Sequence, residues 1–313
     1  MVSFQNTDRI LIAGSTGFIG RHLVDRCLKD TSRITCIGFP EHDALVYLKW
    51  KGIKYFDIDL CDSRALKLLL SQHQFDYVFN VSGYIDHSSY FAGGRKAIES
   101  HFIGLLNLVS NVPKDTLKCF VQIGSSDEYG NTPAPQKETD REKPISSYSL
   151  GKVAATHFIQ MLSTTENFPG VVIRLFLPYG PGQGVTRFLP QIIRACLRNE
   201  EFKTSEGSQK RDFCYIDDVI EGMIKAALNS ETKGHIINIA SGAPVTIKSV
   251  INKVIDLVGG GNPIWGAHKY RKGEAMELYA DIKLAADILH WTPSVSFHEG
   301  LIQTIDYYKN NRT

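Results

Sequence analysis

The stretch "RILIAGSTGFIG", residues 9–20, decides the fold. A short run of apolar residues, typical of a buried strand, leads directly into three glycines and then into a segment with helical spacing of apolar residues. Gly14 permits a tight turn, Gly17 lets a pyrophosphate approach the backbone, and Gly20 lets the helix pack close to the strand. The N-terminus of that helix offers free N–H groups and a positive dipole end. The pattern predicts a dinucleotide-binding loop, and a purely structural turn is the alternative.

The rest of the first half continues the alternation of strand and helix. Apolar runs predict further strands at residues 33–39, 53–60, 75–83, 118–126 and 170–176. Helical segments lie between them, the longest at residues 95–111 and from Tyr148 to about Thr164. The strands are continuously apolar, which is typical of a parallel sheet covered by helices on both faces. We therefore predict an α/β fold with a doubly wound, Rossmann-like parallel sheet, which binds ligands at the carboxyl ends of its strands.

The regular alternation of strand and helix ends after about Tyr179. The segment "PYGPGQG" is a loop rich in proline and glycine, and it is followed by helices, polar loops and the strand–helix pair "HIINIA" and "TIKSVINKVIDLV". We predict a dinucleotide-binding domain at residues 1–178 that carries the catalytic residues. Residues 179–313 would form a smaller, mainly substrate-binding α/β part, interleaved with the end of the main sheet.

The composition is that of a soluble globular protein. Hydrophobic residues make up 43% and charged residues 22% of the 313 residues. The net charge of +2 gives no reason to expect a nucleic acid or a membrane as partner. No apolar run approaches the roughly 18 residues of a membrane span, and the N-terminus lacks the layout of a signal peptide. We expect a cytoplasmic protein with reduced, mostly buried cysteines and no metal site.

The segment "SSYSLGK", residues 146–152, places Tyr148 and Lys152 four residues apart, on one face of a helix. A free tyrosine has a pKa of about 10, which is too high for efficient proton exchange at neutral pH. A lysine cation beside it would stabilise the phenolate and lower that pKa. The pair therefore predicts an acid/base catalyst, and the same ammonium could hold the nicotinamide ribose of a cofactor. A surface pair without function is the alternative.

Together, the GxxGxxG loop and the YxxxK pair resemble the extended short-chain dehydrogenase/reductase enzymes, which modify nucleotide-diphosphate sugars. The resemblance covers nearly the whole chain. It implies that the cofactor contacts the glycine loop, the Tyr148–Lys152 pair, an adenine-binding pair, a small turn after the fourth strand and a proline after the sixth. The residues concerned are Gly14, Thr16, Gly17, Phe18, Ile19, Gly20, Asp59, Leu60, Ser82, Gly83, Tyr148, Lys152 and Pro178.

The preferred cofactor depends on the end of the second strand. NAD-preferring relatives usually carry an acid there that bonds the adenosine ribose. This chain has Gly38 and Phe39 at that place, with neither an acid to repel a 2′-phosphate nor an adjacent arginine to bind one. We expect NADP or NAD, with NADP slightly favoured.

The catalytic serine should come from "QIGSSDEYG", at the end of the fifth strand. The resemblance places Ser125 at the sugar oxygen, with Ser126 as the neighbouring alternative that better fits a turn cap. Asp127 would contact or orient the sugar. The Ser-Ser-Asp order looks more like GDP-4-keto-6-deoxymannose reductases than like 4,6-dehydratases, whose acid pair is shifted by one residue.

We therefore predict reduction of the C4 keto group of a nucleotide-linked 6-deoxysugar. The alternatives are an epimerase or a 4,6-dehydratase with tightly bound NAD and, outside the enzymes, a dinucleotide sensor.

Further substrate contacts follow from the resemblance. After the fourth strand, Tyr84, Asp86 and His87 are candidates for the sugar pocket. Arg211 in "RDFCYIDDV" and Arg271 in "YRKGEAMELYADI" would bind the diphosphate or ribose. Solvated surface arginines are the alternative.

Three other positions complete the prediction. Asp217 and Asp218 would brace a loop or cap a helix. His101 stands where relatives carry Asn, and packing is its expected role. The resemblance also implies a homodimer formed through the Tyr148 helix.

Overall fold

The computed structural model describes residues 2–39, 51–270 and 273–311. Its strands are β1 Ile10–Ala13, β2 Ile34–Gly38, β3 Lys54–Asp57, β4 Tyr77–Asn80, β5 Cys119–Ser125, β6 Gly170–Leu175, β7 Leu177–Tyr179, β8 Glu201–Lys203, β9 Lys210–Arg211, β10 Phe213–Tyr215, β11 Ile236–Ile239, β12 Val245–Thr246, β13 Asn262–Ile264 and β14 Glu277–Leu278.

Its helices are α1 Phe18–Cys27, α2 Ser63–Leu70, α3 Arg95–Ile98, α4 Gly104–Asn111, α5 Ser147–Thr165, α6 Phe188–Leu197, α7 Ile216–Leu228, α8 Ile247–Val258, α9 Lys283–Leu289 and α10 Phe297–Asn310. None of the helices in these described ranges is both long and apolar enough to cross a membrane.

A seven-stranded parallel sheet in the order β11-β6-β5-β4-β1-β2-β3 confirms the predicted doubly wound fold. Side chains of β1 alternate between two buried clusters, with Ile10 and Ile12 on one face and Leu11 and Ala13 on the other. Both faces are covered, which is why the strands read as continuously apolar. The strand order reverses between β1 and β4, so the ligand crevice expected for this fold opens there.

Strand β11 belongs to the second half of the chain but pairs with β6 in the main sheet. The remaining strands of that half form small separate sheets: β10 with β7, β9 with β12 and β14, and β13 with β8. Five of the six cysteines are buried thiols, as predicted, and Cys61 is exposed.

The predicted long helix at residues 95–111 is interrupted. A π-helical turn at Glu99–Ile103 separates α3 from α4. Beside it, Gly151 of α5 allows a close helix crossing, because a Cβ there would lie 3.2 Å from the Cα of Ile98 and 3.3 Å from the Cβ of His101. The small residue between Tyr148 and Lys152 therefore lets α5 approach this turn.

A buried carboxylate connects β5, α5 and β6. Glu128 follows β5 and has no solvent exposure. Its Oε1 accepts a 2.8 Å hydrogen bond from the backbone N–H of Ser125, and its Oε2 accepts bonds from Thr156 of α5 at 2.8 Å and from the Nε of Arg174 at 2.9 Å. Arg174 is also fully buried and donates to Glu142 at 2.5 Å. The ion pair holds the turn after β5 against the neighbouring helix and strand.

We predict that Glu128→Gln lowers the free energy of unfolding by about 3–5 kcal/mol, because it leaves a buried guanidinium with less compensating charge. Urea denaturation followed by circular dichroism measures the change. The control is Glu277→Gln, which removes an ion pair to Lys210 whose two side chains are 48% and 46% exposed, and should cost about 0–1 kcal/mol. Equal losses in the two variants would contradict the structural role of Glu128.

Candidate active site

The glycine loop has the shape that a pyrophosphate requires. Gly14 has φ +88°, and a Cβ there would lie 2.6 Å from the Cα of Ser82. A Cβ on Gly20 would lie 2.1 Å from the carbonyl oxygen of Gly14, so this residue lets α1 pack close to the loop. A Cβ on Gly17 would meet nothing nearer than 3.5 Å, and Gly17, the N-cap residue of α1, provides no side-chain cap for the helix N-terminus. The backbone amides at this helix end therefore fit the phosphates of a dinucleotide.

The other residues in and after the glycine loop are buried or partly buried. Thr16 is buried, and its Oγ1 would lie 3.1 Å from a Cβ placed on Gly38 at the end of β2. Ile19 and Phe18 are partly buried and pack on the core beneath α1. Contacts of these three residues with a cofactor remain predictions.

The predicted adenine end lies beyond β3. Leu60 is buried, while Asp59 is exposed and accepts a 2.9 Å hydrogen bond from the backbone N–H of Cys61. At the end of β2 the Tyr55 hydroxyl donates to the Gly38 carbonyl at 2.6 Å, and Phe39 is 61% exposed. The adenine contact of Asp59 remains a prediction.

The predicted catalytic residues lie together at the carboxyl end of β5 and on the first turns of α5. Tyr148 is 7%, Lys152 3% and Ser125 9% exposed. The Ser125 hydroxyl lies near enough to the Tyr148 hydroxyl to lower its pKa. The Lys152 ammonium donates to the carbonyl of Ile123 at 2.8 Å and lies 6.0 Å from the centre of the Tyr148 ring. The structure thus places the three side chains in one buried cluster.

Ser125 also caps the turn Ser126–Glu128, because its Oγ accepts a 3.1 Å hydrogen bond from the backbone N–H of Asp127. The expectation that capping fits Ser126 better was wrong. Ser126 is buried as the first residue of the turn, and Asp127 is half-buried.

Burial has the largest effect on the pKa values of Tyr148 and Lys152. It raises the pKa of the Tyr148 hydroxyl well above its usual value; the Asp127 charge adds to this, and the Ser125 side chain acts in the opposite direction. Burial also lowers the pKa of Lys152 to about 8, against the charge of Glu128. Burial therefore acts against the lowering of the Tyr148 pKa that the sequence predicts for a neighbouring lysine.

The segment after β4 brings one of the three sugar candidates to the cluster. The His87 ring lies 5.3 Å from that of Tyr148, centre to centre, in an edge-on contact. Asp86 accepts a 2.8 Å hydrogen bond from the backbone N–H of Ser88, and interactions with the side chain and then the backbone of Ser88 lower the pKa of Asp86. The Tyr84 ring lies 4.8 Å from the ammonium of Lys96.

Directly after β4, the Ser82 hydroxyl donates to Asn80 at 2.5 Å, and Gly83 has φ +155°. Ser82 lies beside Gly14 of the glycine loop. The cofactor contacts of Ser82 and Gly83 remain predictions. Pro178 is part of β7, and its carbonyl accepts a 2.8 Å hydrogen bond from Gln183.

The structure describes one of the two arginines that were predicted to bind a phosphate. Arg211 is mostly buried and bonds the Glu274 carboxylate, and its Nη1 donates to the carbonyls of Lys210 and Ala275 at 2.8 Å. Its role towards a phosphate remains a prediction that must include Glu274. Arg271 lies outside the described residues.

Asp218 confirms its predicted bracing role. Its carboxylate accepts hydrogen bonds from the backbone N–H groups of Ser294 and Val295, both at 2.9 Å, and from the Ser294 hydroxyl at 2.7 Å.

Sequence reasoning missed the roles of two residues. The buried role of Glu128 had one available signal, the single charge of Arg174 inside the apolar run "GVVIRLF", which implies a buried partner. Arg187 precedes α6, and its charge acts on the Tyr148 hydroxyl to lower the pKa, but nothing in its loop indicated this. His101 has the packing role predicted for it: it is buried and contacts the Tyr148 ring edge-on, with ring centres 5.0 Å apart.

Comparison with known proteins agrees with this geometry. The sequence pattern of the NAD dependent epimerase/dehydratase family matches residues 10–240. The chain is 25% identical to YtcB of Bacillus subtilis (strain 168), named as an uncharacterized UDP-glucose epimerase, over 96% of this chain and 97% of that one. It is 24% identical to the dTDP-D-glucose 4,6-dehydratase of Bos taurus, over 97% of this chain and 89% of that one.

A solved structure shares the fold. The UDP-glucuronic acid 4-epimerase of Bacillus cereus, in complex with UDP-glucuronic acid and NAD, aligns with a TM-score of 0.85 and 24% identity, over 96% of this chain and 99% of that one. Since the family pattern spans most of the chain, including the glycine loop and the Ser125–Tyr148–Lys152 cluster, the chain belongs to the NAD dependent epimerase/dehydratase family of enzymes.

Proposed function

We propose that this enzyme transfers hydride between a nicotinamide cofactor and C4 of a nucleotide-diphosphate sugar. The observation that carries the proposal is the buried cluster in which Ser125 lies beside the Tyr148 hydroxyl and Lys152 lies one helical turn further along α5. A hydroxyl pair of this kind can hold a carbonyl or alcohol oxygen and exchange its proton.

The residues divide the work as follows. The nicotinamide, when bound, supplies the hydride for reduction or accepts it for oxidation. Tyr148 donates its phenolic proton to the C4 oxygen during reduction, and takes that proton back during oxidation. Ser125 donates a hydrogen bond to the same oxygen and orients it. The Lys152 ammonium stabilises the phenolate that forms after the proton has left.

Glu128 argues against a 4,6-dehydratase. Eliminating water requires a base and an acid next to the sugar, and the sequence "SSDE" offers two carboxylates for them. The Glu128 carboxylate is fully buried and bonded to Ser125, Thr156 and Arg174, which leaves Asp127 as the carboxylate of this turn that can reach a sugar.

We propose as the net reaction the reduction of the 4-keto group of a 6-deoxysugar nucleotide, as in GDP-4-keto-6-deoxymannose reductases. Burial and Asp127 favour the protonated form of Tyr148, and this is the form that donates a proton to a carbonyl. The second candidate is 4-epimerisation, which the names of YtcB and of the Bacillus cereus structure support.

The family name and the NAD in the Bacillus cereus structure support NAD as cofactor. Gly38, in place of an acid, keeps NADP compatible with the site. We further propose that Arg211 and Arg271 bind the diphosphate, that the division near residue 178 separates cofactor and substrate binding, and that the protein is a homodimer.

The nucleotide that copurifies with the enzyme distinguishes the two net reactions. A ketoreductase must exchange its cofactor at each turnover, so we expect protein that releases little NAD(H) or NADP(H) on denaturation and oxidises added cofactor with a 4-keto-6-deoxysugar nucleotide. Chromatography of the released nucleotide and absorbance at ~340 nm measure this. Stoichiometric tightly held NAD, with interconversion of two C4 epimers, would select the epimerase instead.

We predict that Tyr148→Phe reduces kcat by about 10²–10⁴-fold, because the variant has no proton to give to the C4 oxygen. Cofactor affinity, measured by quenching of protein fluorescence, should stay within about threefold. Tyr307→Phe, at an exposed position on α10, is the matched control and should retain full activity. Undiminished turnover in Tyr148→Phe would remove the proposed mechanism.

We predict that Asp127→Asn shifts the pH dependence of ketone reduction to lower pH. Reduction needs a protonated Tyr148, and the Asp127 charge raises the pKa of that hydroxyl, so removing the charge lets the proton dissociate earlier as the pH rises. The measurement is kcat against pH with saturating cofactor. Asp115→Asn, an exposed change close before β5 at the opposite end of the strand, should leave the profile in place. An unmoved profile in Asp127→Asn would contradict the assignment.

A further inference from the structure

The segment at residues 178–187 runs from the end of β7 to the residue before α6. It begins at Pro178, which is predicted to flank the nicotinamide, and it ends at Arg187, whose charge lowers the pKa of the Tyr148 hydroxyl. Three of its residues are glycines, and Gly182 adopts φ +78°. A chain of this composition has many alternative conformations, so its position depends on contacts from outside the segment.

Two adjacent residues of α1 supply such contacts. The Nη2 of Arg21 donates a 3.2 Å hydrogen bond to the carbonyl of Gly182, and the Nε2 of His22 lies 2.9 Å from the carbonyl of Pro181. A carbonyl can only accept, so the Nε2 of His22 carries a proton and donates it. These two hydrogen bonds tie the segment to α1.

The same two residues lie next to the glycine loop. The backbone N–H of Arg21 donates to the carbonyl of Gly17 at 3.0 Å, and the His22 ring packs edge-on against Phe18, with ring centres 5.2 Å apart. Arg21 and His22 are therefore one helical turn beyond the backbone amides that fit the phosphates of a dinucleotide. One turn of α1 thus contacts both the glycine loop and the segment.

A second helix holds the segment at the neighbouring residue. The Tyr308 hydroxyl of α10 donates to the carbonyl of Gln183, and the Gln183 side chain donates to the carbonyl of Pro178 at 2.8 Å. The contacts from α1 and α10 therefore meet at residues 181–183, and Gln183 connects them to Pro178. Residues 184–187, beyond these contacts, are exposed.

We propose that Arg21 and His22 are positioning residues that couple cofactor binding to the order of residues 178–187. With a dinucleotide on the glycine loop, the first turns of α1 are fixed, and the two side chains then fix the segment. A segment that one ligand has already ordered loses less conformational entropy when the next ligand binds. Cofactor and sugar nucleotide therefore bind cooperatively, and each raises the affinity for the other by the same factor.

The first test needs no turnover. Hydrogen–deuterium exchange of residues 178–187 is measured by mass spectrometry with and without saturating NADH or NADPH, whichever quenches the protein fluorescence. In the wild-type protein, the cofactor should slow exchange of the segment by about fivefold or more. In the double variant Arg21→Met/His22→Phe, which keeps the aliphatic stem and the ring against Phe18, the cofactor should still slow exchange at the glycine loop but no longer in the segment.

Two results would overturn the proposal. The first is a wild-type segment that the cofactor does not protect. The second is equal protection in the wild type and the double variant, because the cofactor would then order the segment without these two side chains. Lys29→Met, an exposed change just after α1, is the control and should respond as the wild type does. If the double variant does not fold, the two single variants decide: each should lose part of the protection, and full protection in both would contradict the proposal.

The second test is kinetic and rests on the proposed function. Loss of one hydrogen bond typically changes an equilibrium constant by about 2- to 10-fold, so the double variant should raise the KM for the sugar nucleotide by about 5- to 50-fold. Its kcat should stay within about threefold, because neither side chain belongs to the Ser125–Tyr148–Lys152 cluster. Arg21→Lys, which keeps a donor, should have a lower KM than Arg21→Met. A KM unchanged in the double variant would contradict the coupling. If the wild-type enzyme reduces no keto sugar, the proposed function fails and the exchange experiment still decides on the positioning role.

Discussion

The active site depends on the buried carboxylate of Glu128. This side chain accepts hydrogen bonds from the backbone of Ser125, from the helix that carries Tyr148 and Lys152, and from Arg174 on the next strand. Two buried charges are costly to desolvate, and the cost is offset here because each has several well-placed partners. Ionic hydrogen bonds therefore fix the position of the turn Ser126–Glu128 relative to α5.

Burial shapes the chemistry of the same site. It moves both members of the Tyr148–Lys152 pair towards their neutral forms, raising one pKa and lowering the other. The pair is therefore sensitive to any charge that enters the crevice. Asp127 and Arg187 act on the Tyr148 hydroxyl in opposite directions. The sequence showed the pair itself, but the direction of its pKa shift required the depth of the pocket.

The geometry also explains why some predictions from the chain held and others did not. The small Gly151 between Tyr148 and Lys152 lets α5 approach the π turn, and that turn presents His101 to Tyr148. A helical period of apolar residues predicted a continuous helix at residues 95–111, and it carries no signal for one extra residue in a turn. The sequence motif identified Arg211. It did not predict the contact with Glu274, which lies 63 residues later in the chain.

The sequence by itself determined the fold class, and it predicted the glycine loop and the candidate serine, tyrosine and lysine. These follow from local patterns: continuous apolar strands, three glycines before a helix, and a four-residue spacing on one helix face. Tertiary structure alone decided that Glu128 is internal while Asp127 is half-buried, that His101 lies against Tyr148, and that burial raises the pKa of Tyr148. Each of these depends on which distant segments exclude water from a side chain, and no local spacing in the chain encodes that.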